Sequence, residues 1–121
     1  MSVVSKEEFV AKLKADEPLT GLNLQGIDLA GMNLAGKDLS ECDLSEAVLS
    51  MANLKKATLR KANLQDANLT GANLEGADLE EADLRRAILK GANLRNAKMK
   101  TANTGDKKKF KKPEEPWTKR G

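Results

Sequence analysis

The sequence predicts an all-β solenoid: a coil of short straight sides joined by tight corners, preceded by a short α-helix. Three observations carry this. Leucine recurs at every fifth residue from 24 to 94, fifteen consecutive hits at one spacing. Alanine holds the position two residues earlier, at 47 and every fifth residue through 102. Between them stands Asn or Asp in thirteen of seventeen repeats. A period of five fits neither the 3.6 of a helix nor the 2.0 of a strand, so it is read as a repeat architecture.

The elements follow in chain order. Residues 1–19 hold the helix, over about 5–15. Ser5 and Glu8 make the S-x-x-E pattern of a capping box. Phe9 and Leu13, four apart, share one face with Val10 beside them. Pro18 closes the segment.

Residues 20–104 are the repeats. The leucine and the residue two before it have the same parity, so in an extended step both point to one side. Both are apolar, and that side is inward. The Asn or Asp between them points out. Such side chains bond to nearby backbone and favour turns. Glycine follows at 26, 31, 36, 71, 76 and 91, where a corner needs unusual backbone angles. Each unit is then one side plus one corner, and successive polygons stack through backbone hydrogen bonds.

Residues 105–121, GDKKKFKKPEEPWTKRG, form a lysine-rich tail with two prolines and few apolar groups. This composition predicts disorder.

Runs such as A-N-L-T-G, A-N-L-E-G and A-D-L-R-R resemble the pentapeptide-repeat proteins, over residues about 20–104. The resemblance implies a right-handed quadrilateral β-helix with four repeats per coil, hence about four coils. At a strand spacing of about 4.8 Å such a body stands roughly 20 Å tall. The departures from the pattern are Val48, Thr58, Ile88 and Lys98 in the Asx slot, and Leu22, Ile27, Met32, Lys37 and Cys42 in the Ala slot. Residues 20 apart then stack, and three stacks alternate in sign: Glu41, Lys61, Glu81; Arg60, Glu80, Lys100; Lys55, Glu75, Arg95. Exposed pairs contribute about 0–1 kcal/mol each, so their expected role is register.

The large Ala-slot residues belong to the first coil, which has no neighbour beneath. They are expected to fill that open end under the apolar face of the helix, as terminal repeats of solenoids do. Lys37 is read as an ammonium reaching past the rim toward Asp16 or Glu17. Cys42 is read as a small buried hydrophobe.

Composition narrows the function. The chain has no His, one Cys and 2% aromatics. A disulfide framework is excluded, and neither a zinc site nor a cofactor is expected. The Ser and Asp residues lie in repeat slots explained by turns, and a Leu/Ala interior leaves no pocket, so an enzyme is not expected. MSVVSKEEF lacks the apolar run of a secretory signal, and no stretch nears the ~18 residues of a membrane span. The expected location is cytoplasmic.

The net charge of +3 resides in the tail, because residues 20–104 carry eleven acidic and eleven basic groups. One side of the coil is nearly uncharged, and there alone Val48 and Ile88 replace Asx. With Met51 they are the candidate protein-contact face. Met99, Phe110 and Trp117 are the candidate contacts at the C-terminal end, where an uncovered coil leaves backbone groups for water, tail or a second chain. The resemblance adds a homodimer through the C-terminal coil; a tail folded back over Met99 is the alternative.

The sequence thus points to a non-enzymatic interaction or scaffold module for a protein partner whose identity it does not reveal. Two other readings compete. In one, the body mimics DNA and modulates a type II topoisomerase, as some members of the family do. In the other, the KKKFKK run tethers the protein to nucleic acid or an anionic surface.

Overall fold

The computed structural model describes residues 2–106, together with 110 and 112. It contains one helix, α1 (Lys6–Lys14). Ser5 is its N-cap, and both halves of the capping box form: Glu8 N–H donates to Ser5 Oγ at 3.1 Å, and Ser5 N–H reaches Glu8 Oε1 at 3.5 Å. Glu7 and Glu8 lie in the first turn and Lys12 and Lys14 in the last, which complements the helix dipole.

From residue 23 to 103 the chain is a coil with a twenty-residue turn. Thirteen isolated parallel bridges join residues 20 apart, from Asn23 with Asp43 to Asp83 with Asn103. Asn63 bridges Asp83, and Leu64 N–H donates to Asp83 O at 2.8 Å. The period of the coil is therefore twenty residues, four repeats per turn. No strand longer than one bridged residue occurs among the described residues. A corner every five residues leaves each side room for a single rung, so the all-β character resides in stacked bridges.

One rung uses two hydrogen bonds. The Asx-slot residue donates to the carbonyl of the Ala slot beneath and accepts from the leucine N–H beneath, as when Asp78 N–H meets Ala57 O at 2.9 Å and Leu59 N–H meets Asp78 O at 2.7 Å. Inward, all fifteen leucines from Leu24 to Leu94 are buried, as are Ala47 through Ala82 at every fifth residue. They form one cluster that also holds Phe9, Leu19, Ile27 and Cys42, with Val4, Leu13, Leu22 and Met32 packed against it.

The corners go beyond the sequence reading. Every second residue after a repeat leucine that has a positive φ sits near +60 to +71°, whether glycine or not. Nine such corners are non-glycine, Met51, Lys61 and Arg86 among them. A left-handed non-glycine residue costs roughly 1–2 kcal/mol. The corner is held from both sides: Ala52 N–H closes a turn on Leu49 O at 3.1 Å, and Met51 N–H bonds Thr70 O in the coil above at 2.8 Å. A positive φ at the third residue is the requirement of a type II turn.

The Asx slot secures the corner's other half. All thirteen Asn and Asp residues accept, through Oδ1, the N–H two residues on, at 3.0–3.2 Å. Their carboxylates and amides are thereby committed to turns.

Ion pairing departs from the expected stacks. Arg86 bonds Asp66, twenty residues below, at 2.9 Å. Arg60 pairs with Asp78 at 3.1 Å, not with Glu80. Glu80 is occupied elsewhere: its carboxylate accepts from Thr101 N–H at 3.1 Å and from Thr101 Oγ1. Lys37 shares a cleft with Asp16 and Glu17, yet Glu17 pairs with Lys12 at 3.4 Å.

Candidate functional site

The nearly uncharged side is a single column. Asp28, Val48, Asn68 and Ile88 bridge one another in succession. Val48 is half-buried, while Ile88 is 50% exposed. The adjoining corner column is Gly31, Met51, Gly71 and Gly91, all at positive φ. Met51 is 69% exposed, and its sulfur lies over Gly71, nearer than any Cβ placed on that glycine could tolerate. A Cβ at Gly91 would meet only ordinary contacts, with Gly71 N at 3.8 Å, and one at Gly31 would meet nothing. The edge is therefore nearly bare backbone, interrupted by one thioether and flanked by Ile88. Val48 and Ile88 lie two rungs apart in one column with Asn68 between them, and Met51 lies in the adjoining corner column. Gly71 as the seat of Met51 was missed; only the corner geometry reveals it.

The C-terminal end holds the second candidate. Met99 and Phe110 are half-buried against the core. With Ala97, Lys98, Lys100, Lys112 and Glu80 they line a cleft of about 530 Å³. Phe110 N–H bonds Asp106 O at 3.0 Å, which turns the ring back toward the coil. Trp117 lies outside the described residues. Lysines 98, 100 and 112 were not singled out from sequence as a group. Lys98 in the Asx slot was the available signal. There no Asx oxygen can serve the corner; the Glu80 carboxylate from the coil below accepts from the Thr101 hydroxyl, and from the Thr101 and Lys100 backbone, and the hydroxyl bond above all lowers its pKa.

The remaining titratable groups serve structure. The Arg86 bond holds the Asp66 carboxyl below its usual range, and Arg85 does the same for Asp83. Partial burial works against ionised Asp78, but the Glu80 N–H and Arg60 outweigh it and its pKa falls. Burial pushes the Cys42 thiol up to about 11, and its S–H donates to Leu19 O at 2.9 Å. A thiol so placed is a packed small hydrophobe.

Among the described residues no helix is long and apolar enough to cross a membrane. The sequence pattern described as "Pentapeptide repeats" matches in eight copies, over residues 23–60 and 62–100. Similar solved structures include the following three. A pentapeptide repeat protein (Rfr23) from the cyanobacterium Cyanothece 51142 is 44% identical, over 74% of this chain and 60% of its own, with a TM-score of 0.72. One from the Arabidopsis thaliana thylakoid lumen is 40% identical, over 68% and 57%, with a TM-score of 0.65. One from Nostoc PCC 7120 is 31% identical, over 88% and 90%, with a TM-score of 0.67. The match thus spans about three-fifths of the first two of these proteins. Among curated proteins no match is found.

Proposed function

The chain belongs to the pentapeptide-repeat family, whose members form right-handed quadrilateral β-helices, and we propose that it is a non-enzymatic interaction module that docks a protein partner on the edge of Val48, Met51 and Ile88. The exposure of Met51 and Ile88 on a nearly uncharged, glycine-lined edge carries this reading. The frame beneath is rigid, because the corners at Gly31, Met51 and Gly71 are each bonded to the coil above, so most of the edge is presented with little ordering cost.

In this reading the body is about four coils, 20–104, and residues 1–19 are its N-terminal cap. Burial of Phe9 in the same cluster as Ile27 supports the cap, as does the 2.8 Å bond from Val4 N–H to Asn23 O. The packing of Phe110 against the core takes up part of the C-terminal end and so supports a monomer over the end-to-end homodimer. Sedimentation equilibrium of the full chain should read a monomer; a dimer would restore end-to-end pairing.

The DNA-mimic reading has less support. Duplex DNA carries one charge per about 1.7 Å, so a body of roughly 20 Å needs on the order of 12 surplus negative charges. Residues 20–104 have eleven of each sign. Tethering by the tail predicts salt-dependent binding to DNA or anionic vesicles that deletion of residues 105–121 abolishes.

The edge is tested by capture from the native cell with three baits: the full chain, Met51→Glu with Ile88→Glu, and Lys61→Glu on the diagonally opposite corner. A protein held by the first and third and lost by the second supports the proposal. Identical capture by all three sinks it.

A further inference from the structure

The last coil ends on an unfinished rung. In the side below, Lys98 N–H donates to Ala77 O at 2.8 Å and Lys98 O accepts from Leu79 N–H at 2.7 Å. The corresponding groups one level up are Ala97 O and Met99 N–H. Among the described residues neither has a hydrogen-bond partner. They lie at the floor of the C-terminal cleft, with Phe110 on one wall. Three lysines line it, 98, 100 and 112, all exposed. The one lining carboxylate, Glu80, is turned to Thr101.

We propose that this cleft binds an extended segment of a partner protein with the pattern apolar–acidic–apolar, adding it as one more rung. The geometry of the coil dictates the pattern. The bridging residue offers its N–H to Ala97 O and its C=O to Met99 N–H. Its side chain then points outward beside Lys98, which selects a carboxylate. Its two neighbours point inward over Ala97 and Met99, which selects apolar side chains. Further acidic residues on either flank meet Lys100 and Lys112. This is strand addition to an exposed edge, in which main-chain bonds give affinity and alternate side chains give specificity.

The chain's own tail does not fit. Residues 113–121, PEEPWTKRG, contain no apolar–acidic–apolar triplet, and each proline lacks the N–H a rung requires. The occupant is therefore a partner segment.

The test is a titration of the full chain with the peptide acetyl-Glu-Glu-Val-Asp-Leu-Glu-Glu-amide, read by calorimetry at low and physiological salt. Saturable binding that weakens with salt is expected. Lys98→Glu with Lys100→Glu should weaken it at least about tenfold, with unchanged circular dichroism because both residues are exposed. Replacing Val and Leu of the peptide by Ser should do the same, and so should N-methylation of its Asp, which removes the rung's donor. Absence of binding, indifference to the lysine reversals, or full affinity of the N-methylated peptide would each overturn the proposal. The variant Glu114→Ser, Glu115→Ser, Trp117→Ser should bind as the full chain does. Binding that emerges only in that variant would make the tail the occupant and likewise overturn it.

Discussion

Leu64→Ala measures how closely the coil is packed. Leu64 is fully buried at mid-solenoid, with rungs below and above it: Leu44 N–H to Asn63 O at 2.7 Å and Leu64 N–H to Asp83 O at 2.8 Å. The substitution removes three carbon atoms, about 2.4 kcal/mol at ~0.8 per methylene. The cavity adds to this unless the walls move inward. Here the walls are leucine and alanine side chains on sides that are bonded rung by rung, so collapse would break backbone hydrogen bonds. The cost should fall in the upper part of the usual range, about 3–5 kcal/mol. Leu89→Ala in the last coil is the comparison. Leu89 is 8% exposed and, among the described residues, no complete coil lies above it, so its walls can relax and its loss should be smaller. Urea melts followed by circular dichroism read both. A near-neutral Leu64→Ala, or a Leu89→Ala as costly, would refute the argument that stacked rungs prevent collapse.

Two further outcomes follow from the titratable groups. With its pKa near 11, Cys42 is about one-thousandth thiolate at pH 8, so it should resist a thiol reagent in the folded chain and react at once in denaturant; equal rates would contradict its burial. The carboxyls of Asp66, Asp78, Glu80 and Asp83 are all depressed in the fold. Depressed carboxyls give stability that is complete above their unfolded pKa of about 4 and is lost as pH falls through the lower folded values. The melting temperature should therefore fall below about pH 4, and a rise on acidification would contradict these pairings.

The inward pattern was fully legible because leucine and alanine at fixed parity admit one reading, and burial of Leu24 through Leu94 follows it. The helix was legible for a local reason: Ser5 and Glu8 satisfy each other's backbone within one turn. The corners were only half legible. Glycine at 26 or 71 signals a left-handed residue, but Glu41, Met51 and Asp66 adopt the same φ with no signal of their own, because each donates its N–H to the coil above. Charge partners were legible in register and not in identity. Arg60 stacks under Glu80 in sequence arithmetic, yet Thr101 occupies Glu80 and leaves Arg60 to Asp78. Such competition depends on rotamers, which a twenty-residue period does not encode.

Val48 and Ile88 carry a structural cost that the thirteen Asn and Asp slots avoid. Wherever Asn or Asp occupies the slot, its side chain accepts the N–H two residues on. At Val48 and Ile88 no side-chain oxygen can do so, and among the described residues Ser50 N–H and Lys90 N–H have no protein acceptor. A hydrogen bond of this kind is worth about 0.5–1.5 kcal/mol. Ile88→Asn should restore it on a side whose neighbour below is already Asn68, raising stability by about 0.5–1 kcal/mol after the loss of half-exposed packing. The same change removes apolar surface beside Met51, so partner capture should weaken while the protein becomes more stable. Opposite movement of the two readings is what a contact surface requires, since interaction sites often sacrifice stability. A variant both more stable and equally retentive would make Ile88 an idle variation. A variant that is less stable would show that packing, and not exposure, explains its place in the coil.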